Sequence, residues 1–131
     1  MRRSIALSGA LLLAAACYHG PSIQTFKPAR GPYGIDTELR LRTKALVQGE
    51  LLEVQDSSLV ILSANRVVSV PVSAIQRGRF YGLGDLIAEG INPRSALAEV
   101  RNFSRFPTGL TPELRTRLLA AYGQTAVQVV H

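Results

Sequence analysis

The chain has 131 residues, 15 Lys and Arg against 9 Asp and Glu, a single cysteine and no tryptophan. That length holds one ordinary domain with one hydrophobic core and leaves no room for two. One cysteine excludes an intramolecular disulfide framework, and the +6 charge contains no block of five or six like charges that would mark a nucleic-acid footprint.

The chain opens on Met1-Arg2-Arg3-Ser4, continues through an apolar run over residues 5–16, and then meets Cys17. Two arginines, a short apolar run and small residues before a break are the three parts of a secretory signal, so export is predicted. The Leu13-Ala14-Ala15-Ala16-Cys17 junction resembles the lipobox of bacterial lipoproteins, with Ala14 where that family prefers leucine and Leu13 one step back. The resemblance implies that the Cys17 thiol carries diacylglycerol, that a dedicated peptidase cuts before it, and that the new amino terminus is acylated. It places the protein on the cell membrane or outer membrane, lipid-anchored and facing the periplasm or exterior. The alternatives are an ordinary signal-peptidase cut near Ala14-Ala15-Ala16 and a retained anchor. Residues 5–16 fall short of the ~20 that a membrane-spanning helix needs. An unpaired exposed thiol would be a liability in an oxidising compartment, which favours lipid on Cys17.

Removing residues 1–16 as signal leaves 115, and without Arg2 and Arg3 the basic residues number 13 against 9 acidic, a net +4. Residues 17–36 form the lipidated N-terminus and tether, because three prolines, three glycines and no apolar periodicity between positions 18 and 34 cannot bury enough surface to offset ordering entropy. His19 sits there alone and His131 ends the given sequence, so no metal constellation is expected.

Residues 37–81 carry the sheet. Over positions 38–47, Leu39, Leu41, Thr43, Ala45 and Val47 alternate with Glu38, Arg40, Arg42, Lys44 and Leu46, the period-two signature of a strand buried on one face. Gly49 is expected to interrupt it. Residues 50–55 give a second strand in which Leu52 and Val54 share a face and Leu51 and Glu53 point the other way. Asp56-Ser57-Ser58 turns the chain. Leu59-Val60-Ile61-Leu62 is apolar on both faces and predicts a central strand. Ser63-Ala64-Asn65-Arg66 turns it again, with Asn65 suited to a left-handed conformation. A fourth strand over 67–70 ends at Pro71, one helical turn covers 72–75, and a fifth strand spans 76–80. The core is expected from Leu52, Val54, Leu59, Ile61, Val68, Val70 and Ile75.

Five short strands with tight turns and a helical turn before the last resemble the small bent barrels of the Sm-like class. Residues 49–62 and 68–77 carry that resemblance. Cytosolic Sm-like proteins bind RNA through loops of a ring oligomer, but no comparable aromatic or asparagine cluster stands in these turns. No nucleic-acid partner is expected. The fold class that follows is mainly β (α+β), a five-stranded bent barrel followed by two short C-terminal helices.

Residues 82–131 form the helical extension packed on the barrel. Asn92-Pro93 starts a helix to about Asn102, with Leu97 and Val100 on one face. Thr111-Pro112-Glu113 starts a second, in which Leu114, Leu118 and Tyr122 form the apolar stripe and Arg115 and Arg117 face solvent. Gly123 ends it, and residues 126–130 are a short strand or docked tail.

A catalytic constellation is not legible, and the protein is expected not to be an enzyme. Asp56-Ser57-Ser58 is what a hairpin turn requires. Gly82-Leu83-Gly84-Asp85 lacks the downstream lysine and strand-to-helix setting of a phosphate loop. Glu50 and Glu53 fall on opposite faces of one strand. No cofactor and no metal are expected. The function expected is that of a non-catalytic structural or protein-interaction module with an envelope protein as partner. The alternative is a binding module for a small amphiphile or envelope glycan, in a cleft near Phe103, Phe106 and Leu110. A clickable palmitate analogue should label the wild-type protein in cells and leave Cys17→Ser unlabelled, and equal labelling of the two would end the lipobox assignment.

Overall fold

Residues 33–131 are described by a computed structural model, and Cys17, its signal and most of the tether lie outside them. Seven strands and two helices follow one another: β1 (Asp36–Leu41), β2 (Leu46–Val54), β3 (Ser58–Ser63), β4 (Arg66–Pro71), a 3-10 turn (Val72–Ala74), β5 (Ile75–Phe80), β6 (Gly84–Ile87), α1 (Pro93–Arg101), α2 (Pro112–Ala121) and β7 (Gln128–Val129). They form one sheet in the order β6-β5-β1-β2-β3-β4-β7, antiparallel throughout except for the parallel β4–β7 pair.

The fold is therefore mainly β with two helices, but the closed five-stranded barrel is not what forms. A strand has two edges. Those of β5 are taken by β1 and β6, and those of β4 by β3 and β7, so the two strands whose pairing would close a barrel are each extended by another. The sheet stays open, with seven strands in place of five.

The expected first strand over 38–47 divides in two. Leu41 N donates to Ala45 O at 2.8 Å and Lys44 N to Leu41 O at 2.9 Å, closing a tight turn with Lys44 at φ 77°. Alternation runs through this hairpin unbroken because Leu39 and Val47 are cross-strand partners on the same face. Thr43 and Ala45, expected inside, are exposed at its tip. Gly49 does not interrupt but lies within β2, paired with Thr37. Any Cβ there would run into the Leu62 carbonyl, so glycine permits the close crossing of β2 and β3.

A bulge then reverses the facing of β2. Its register with β3 shifts between Leu51 and Glu53, and a shift of one residue exchanges the two faces of a strand. Leu51 and Val54 join the main core with Leu39, Leu59, Ile61 and Phe80. Leu52, expected among them, instead forms a second cluster on the other face with Val60, Val67 and Leu119. The remaining expected core residues, Val68, Val70 and Ile75, are in the main cluster.

The helices take opposite sides of the sheet. Asn92 caps α1 by accepting from Arg94 N at 3.0 Å, Pro93 holds its first position, and Ala96, Leu97 and Val100 close the main core. Thr111 caps α2 by accepting from Leu114 N at 3.2 Å, and Leu119 seals the second cluster. Leu114 is on the exposed side. Arg115, expected in solvent, turns inward and donates to Glu53 Oε2 at 3.3 Å, where the Glu53 side chain is 9% exposed.

Ile61 is fully buried between β2 and β4, and Ile61→Ala should cost ~2–5 kcal/mol in urea unfolding. Arg115→Ala strands a buried carboxylate and should cost about 1–2 kcal/mol, between the values of surface and buried ion pairs. Arg117→Ala, on the exposed side of α2, should stay within about 0.5 kcal/mol of wild type.

Candidate functional site

Main-core residues define the inner face of the sheet, and α2 covers the outer face only over the second half of β2, β3 and β4. Across the first half of β2, β1 and β5 the outer face carries no helix. Strand alternation sets its side chains in rows. Gln48, Glu38 and Arg79 lie side by side across the three strands, and Leu46, Arg40 and Arg77 make the next row. Tyr81 follows β5 and is 78% exposed.

The first row is hydrogen-bonded at both ends. Gln48 Nε2 donates to Glu38 Oε2 at 2.9 Å, and Arg79 Nε donates to Asp85 Oδ1 of β6 at 3.0 Å. The Asp85 hydrogen bond, then the charges of Asp85 and Glu38, raise the Arg79 guanidinium above its ordinary pKa. The group is charged under all relevant conditions. Between Tyr81, Arg79, Glu38, Gln48 and Gly49 lies an open cleft of about 400 Å³. Thr37 backs it from the opposite face of β1, its hydroxyl buried without a hydrogen-bond partner among the described residues. A second depression of about 460 Å³ opens beside Arg40, Lys44, Arg77 and Glu89. An aromatic ring, a carboxylate, an amide and several guanidinium groups on one rigid sheet can bind a polar partner. They are not arranged as a nucleophile with a base.

The residues singled out in the sequence are dispersed. Cys17 and His19 lie outside the described residues. His131 contributes its carbonyl to Thr43 Oγ1 at 3.4 Å. Asp56-Ser57-Ser58 serves its turn, with Gln55 N donating to Ser58 O and Val72 N to Ser57 O, both at 2.9 Å. Gly82 and Gly84, both at positive φ, reverse the chain between β5 and β6. Glu50 and Glu53 each hold a different arginine, Arg105 and Arg115. Phe103, Phe106 and Leu110 do not line one cleft. Phe106 packs on the second cluster, while Leu110 borders a groove of about 540 Å³ with Pro112, Leu119 and Val127.

Among the described residues no group of three or more His, Cys, Asp or Glu is placed to hold a metal ion, and no helix is long and apolar enough to cross a membrane. The sequence reading missed the outer face because its rows depend on β1 pairing with β5. The usable signal was local: Glu38 and Arg40 share one face of β1, and Arg77 and Arg79 share one face of β5.

No family model, curated protein or solved structure matches the chain. Tyr81 and Gln48 are exposed, so Tyr81→Ala and Gln48→Ala should each leave thermal unfolding within about 0.5 kcal/mol of wild type. A larger loss would make the face a structural element instead of a contact surface.

Proposed function

We propose that the protein is an exported bacterial envelope lipoprotein, anchored through lipid on Cys17, whose uncovered β2-β1-β5 face is a non-catalytic contact surface for an envelope protein. The observation that carries this reading is the uncovered face itself. One half of the outer sheet is sealed by α2, and the other half presents Tyr81, Gln48, Arg40, Arg77 and Arg79 to solvent on a rigid support. Aromatic and arginine side chains are enriched where proteins meet.

The signal-like start and lone cysteine support the anchor. Between Cys17 and Tyr33 lie residues 18–32, which even fully extended reach roughly 50 Å, so an anchored domain would stay close to the membrane. The order β5-β1-β2-β3-β4, with one 3-10 turn before β5, supports a relationship to the Sm-like class at the level of strand order. A second reading, an envelope glycan as ligand, is favoured by the cleft in which exposed Tyr81 stands beside Glu38, Gln48 and Arg79. There the ring would cover an apolar sugar face and the planar polar groups would bind hydroxyls.

A photo-crosslinking amino acid placed at Tyr81 or Gln48 in cells should give a discrete protein adduct that the same probe at Arg117 does not. Identical patterns at all three positions would refute the protein-contact reading. An adduct of glycan at Tyr81 alone would select the second.

A further inference from the structure

The β1–β5 pairing sets Arg40 directly opposite Arg77. Like charges in that relation destabilise a sheet unless something lies between them. Asp85 and Glu38 are held mainly by other side chains, and Glu89 is the one acidic group that borders the hollow. Asp85 holds Arg79 at 3.0 Å and reaches Arg77 only at 3.8 Å, and Glu38 accepts from Gln48 and faces Arg79. The Arg40 side chain makes no hydrogen bond or ion pair among the described residues.

The depression beside the two arginines is also bordered by Lys44, Gln76 and Glu89, three cations against one anion. Lys44 stands at φ 77°, a left-handed conformation that costs a non-glycine residue energy and suits glycine or asparagine. Two locally unfavourable features therefore meet at one hollow: a cross-strand pair of cations, and a lysine in a strained turn.

We propose that Arg40, Arg77 and Lys44 form a binding site for a phosphate-bearing anion, the group presented both by soluble phosphate esters and by phospholipid headgroups. Guanidinium groups match phosphate oxygens with paired N–H donors, and the lysine adds a mobile point charge. An anion seated between Arg40 and Arg77 converts their repulsion into shared attraction. The site deepens the contact-face reading and rests on it, since the hollow must be accessible in the anchored protein.

The test uses the purified 131-residue chain carrying Cys17→Ser, so that no covalent lipid contributes, and any binding through the apolar residues 5–16 is common to the parent and its Arg40 and Arg77 variants. Inorganic phosphate, at ionic strength matched with sodium chloride, should raise the melting temperature by roughly 5 °C near tenfold saturation. Arg40→Gln or Arg77→Gln should weaken phosphate binding on the order of tenfold or more. Without phosphate, Arg40→Gln should melt no lower than its parent. If phosphate gives no shift but phosphatidylglycerol vesicles, and not phosphatidylcholine vesicles, sediment the protein in an Arg40- and Arg77-dependent way, the headgroup is the source. The site is overturned if neither probe binds, if sodium chloride alone gives the same shift, or if both variants respond like the parent. A melting point lowered by Arg40→Gln in the absence of phosphate would show that Arg40 has a partner within the fold, and would also overturn it. Loss of the Tyr81 crosslinks with an intact phosphate response refutes the protein partner alone, and the converse refutes the anion site alone.

Discussion

The Glu50–Arg105 pair joins three stretches of chain that nothing local would bring together. Arg105 Nε donates to Glu50 Oε1 at 2.7 Å and its Nη2 to Oε2 at 2.6 Å, a bidentate arrangement with the side chains only 21% and 14% exposed. Glu50 Oε1 also accepts from Gly34 N at 2.8 Å, which draws in the start of the domain. The Arg105 guanidinium lies 5.3 Å from the Tyr33 ring centroid and 5.9 Å from that of Phe106. A paired, partly desolvated, stacked guanidinium is worth more than an exposed ion pair, and removing either member leaves the other charge half-buried and alone.

Around that pair the backbone closes on itself. Ile35 N donates to Phe103 O, Leu51 N to Ile35 O, Arg105 N to Leu51 O and Phe106 N to Leu52 O, at 2.9 or 3.0 Å. Three of these bonds reach β2 where its register with β3 slips, so its polar groups there find partners in Ile35 and in the segment after α1. Gly34 is required for the same reason, because a Cβ there would strike the Leu51 carbonyl and approach Arg105 N. Alternation sends Leu51 to one core and Leu52 to the other, and the bulge keeps Glu53 on the side of Leu52 while Val54 returns to that of Leu51, so a single strand serves both faces of the sheet. Glu53, the next residue, holds α2 through Arg115. The placement of both helices thus traces to three consecutive residues of β2.

What was legible in the sequence is what local chemistry determines. β3 and β4 form where their apolar runs predicted, Ala64 and Asn65 take the positive φ of the tight turn between them, and Asn92 and Thr111 cap the two helices. The hairpin at 42–45 was not legible, because Lys44 takes the left-handed position without any glycine or asparagine to mark it. Gly49 was read as a breaker when its role is to allow a close crossing, which depends on β3. The bulge at Leu52 has no sequence signature of its own, since the carbonyls of Leu51 and Leu52 are satisfied by Arg105 and Phe106, more than fifty positions away. β6 and β7, of four and two residues, are too short to show alternation. The outer face was half legible: each strand's polar side could be read, but the rows appear only once β1 and β5 are known to be neighbours.

An open sheet must also dispose of its edges, and the way this one does so bears on what its surface can offer. Unpaired backbone along an edge strand is a template for another chain. At the β4 edge the Gln124 side chain acts as a strand would: its Oε1 accepts from Val67 N at 2.7 Å and its Nε2 donates to Val67 O at 3.0 Å. β7 continues the pairing through Val68 and Ser69, and Val130 N donates to Ser69 O at 2.9 Å. The opposite edge is β6, four residues long, begun by Gly84 at positive φ, carrying the charge of Asp85 and packed against α1. Neither edge presents a long flat run of free donors and acceptors. The accessible chemistry of this sheet is therefore in the side chains of its outer rows, and recognition there depends on charge and ring placement on a rigid support, with backbone pairing playing little part.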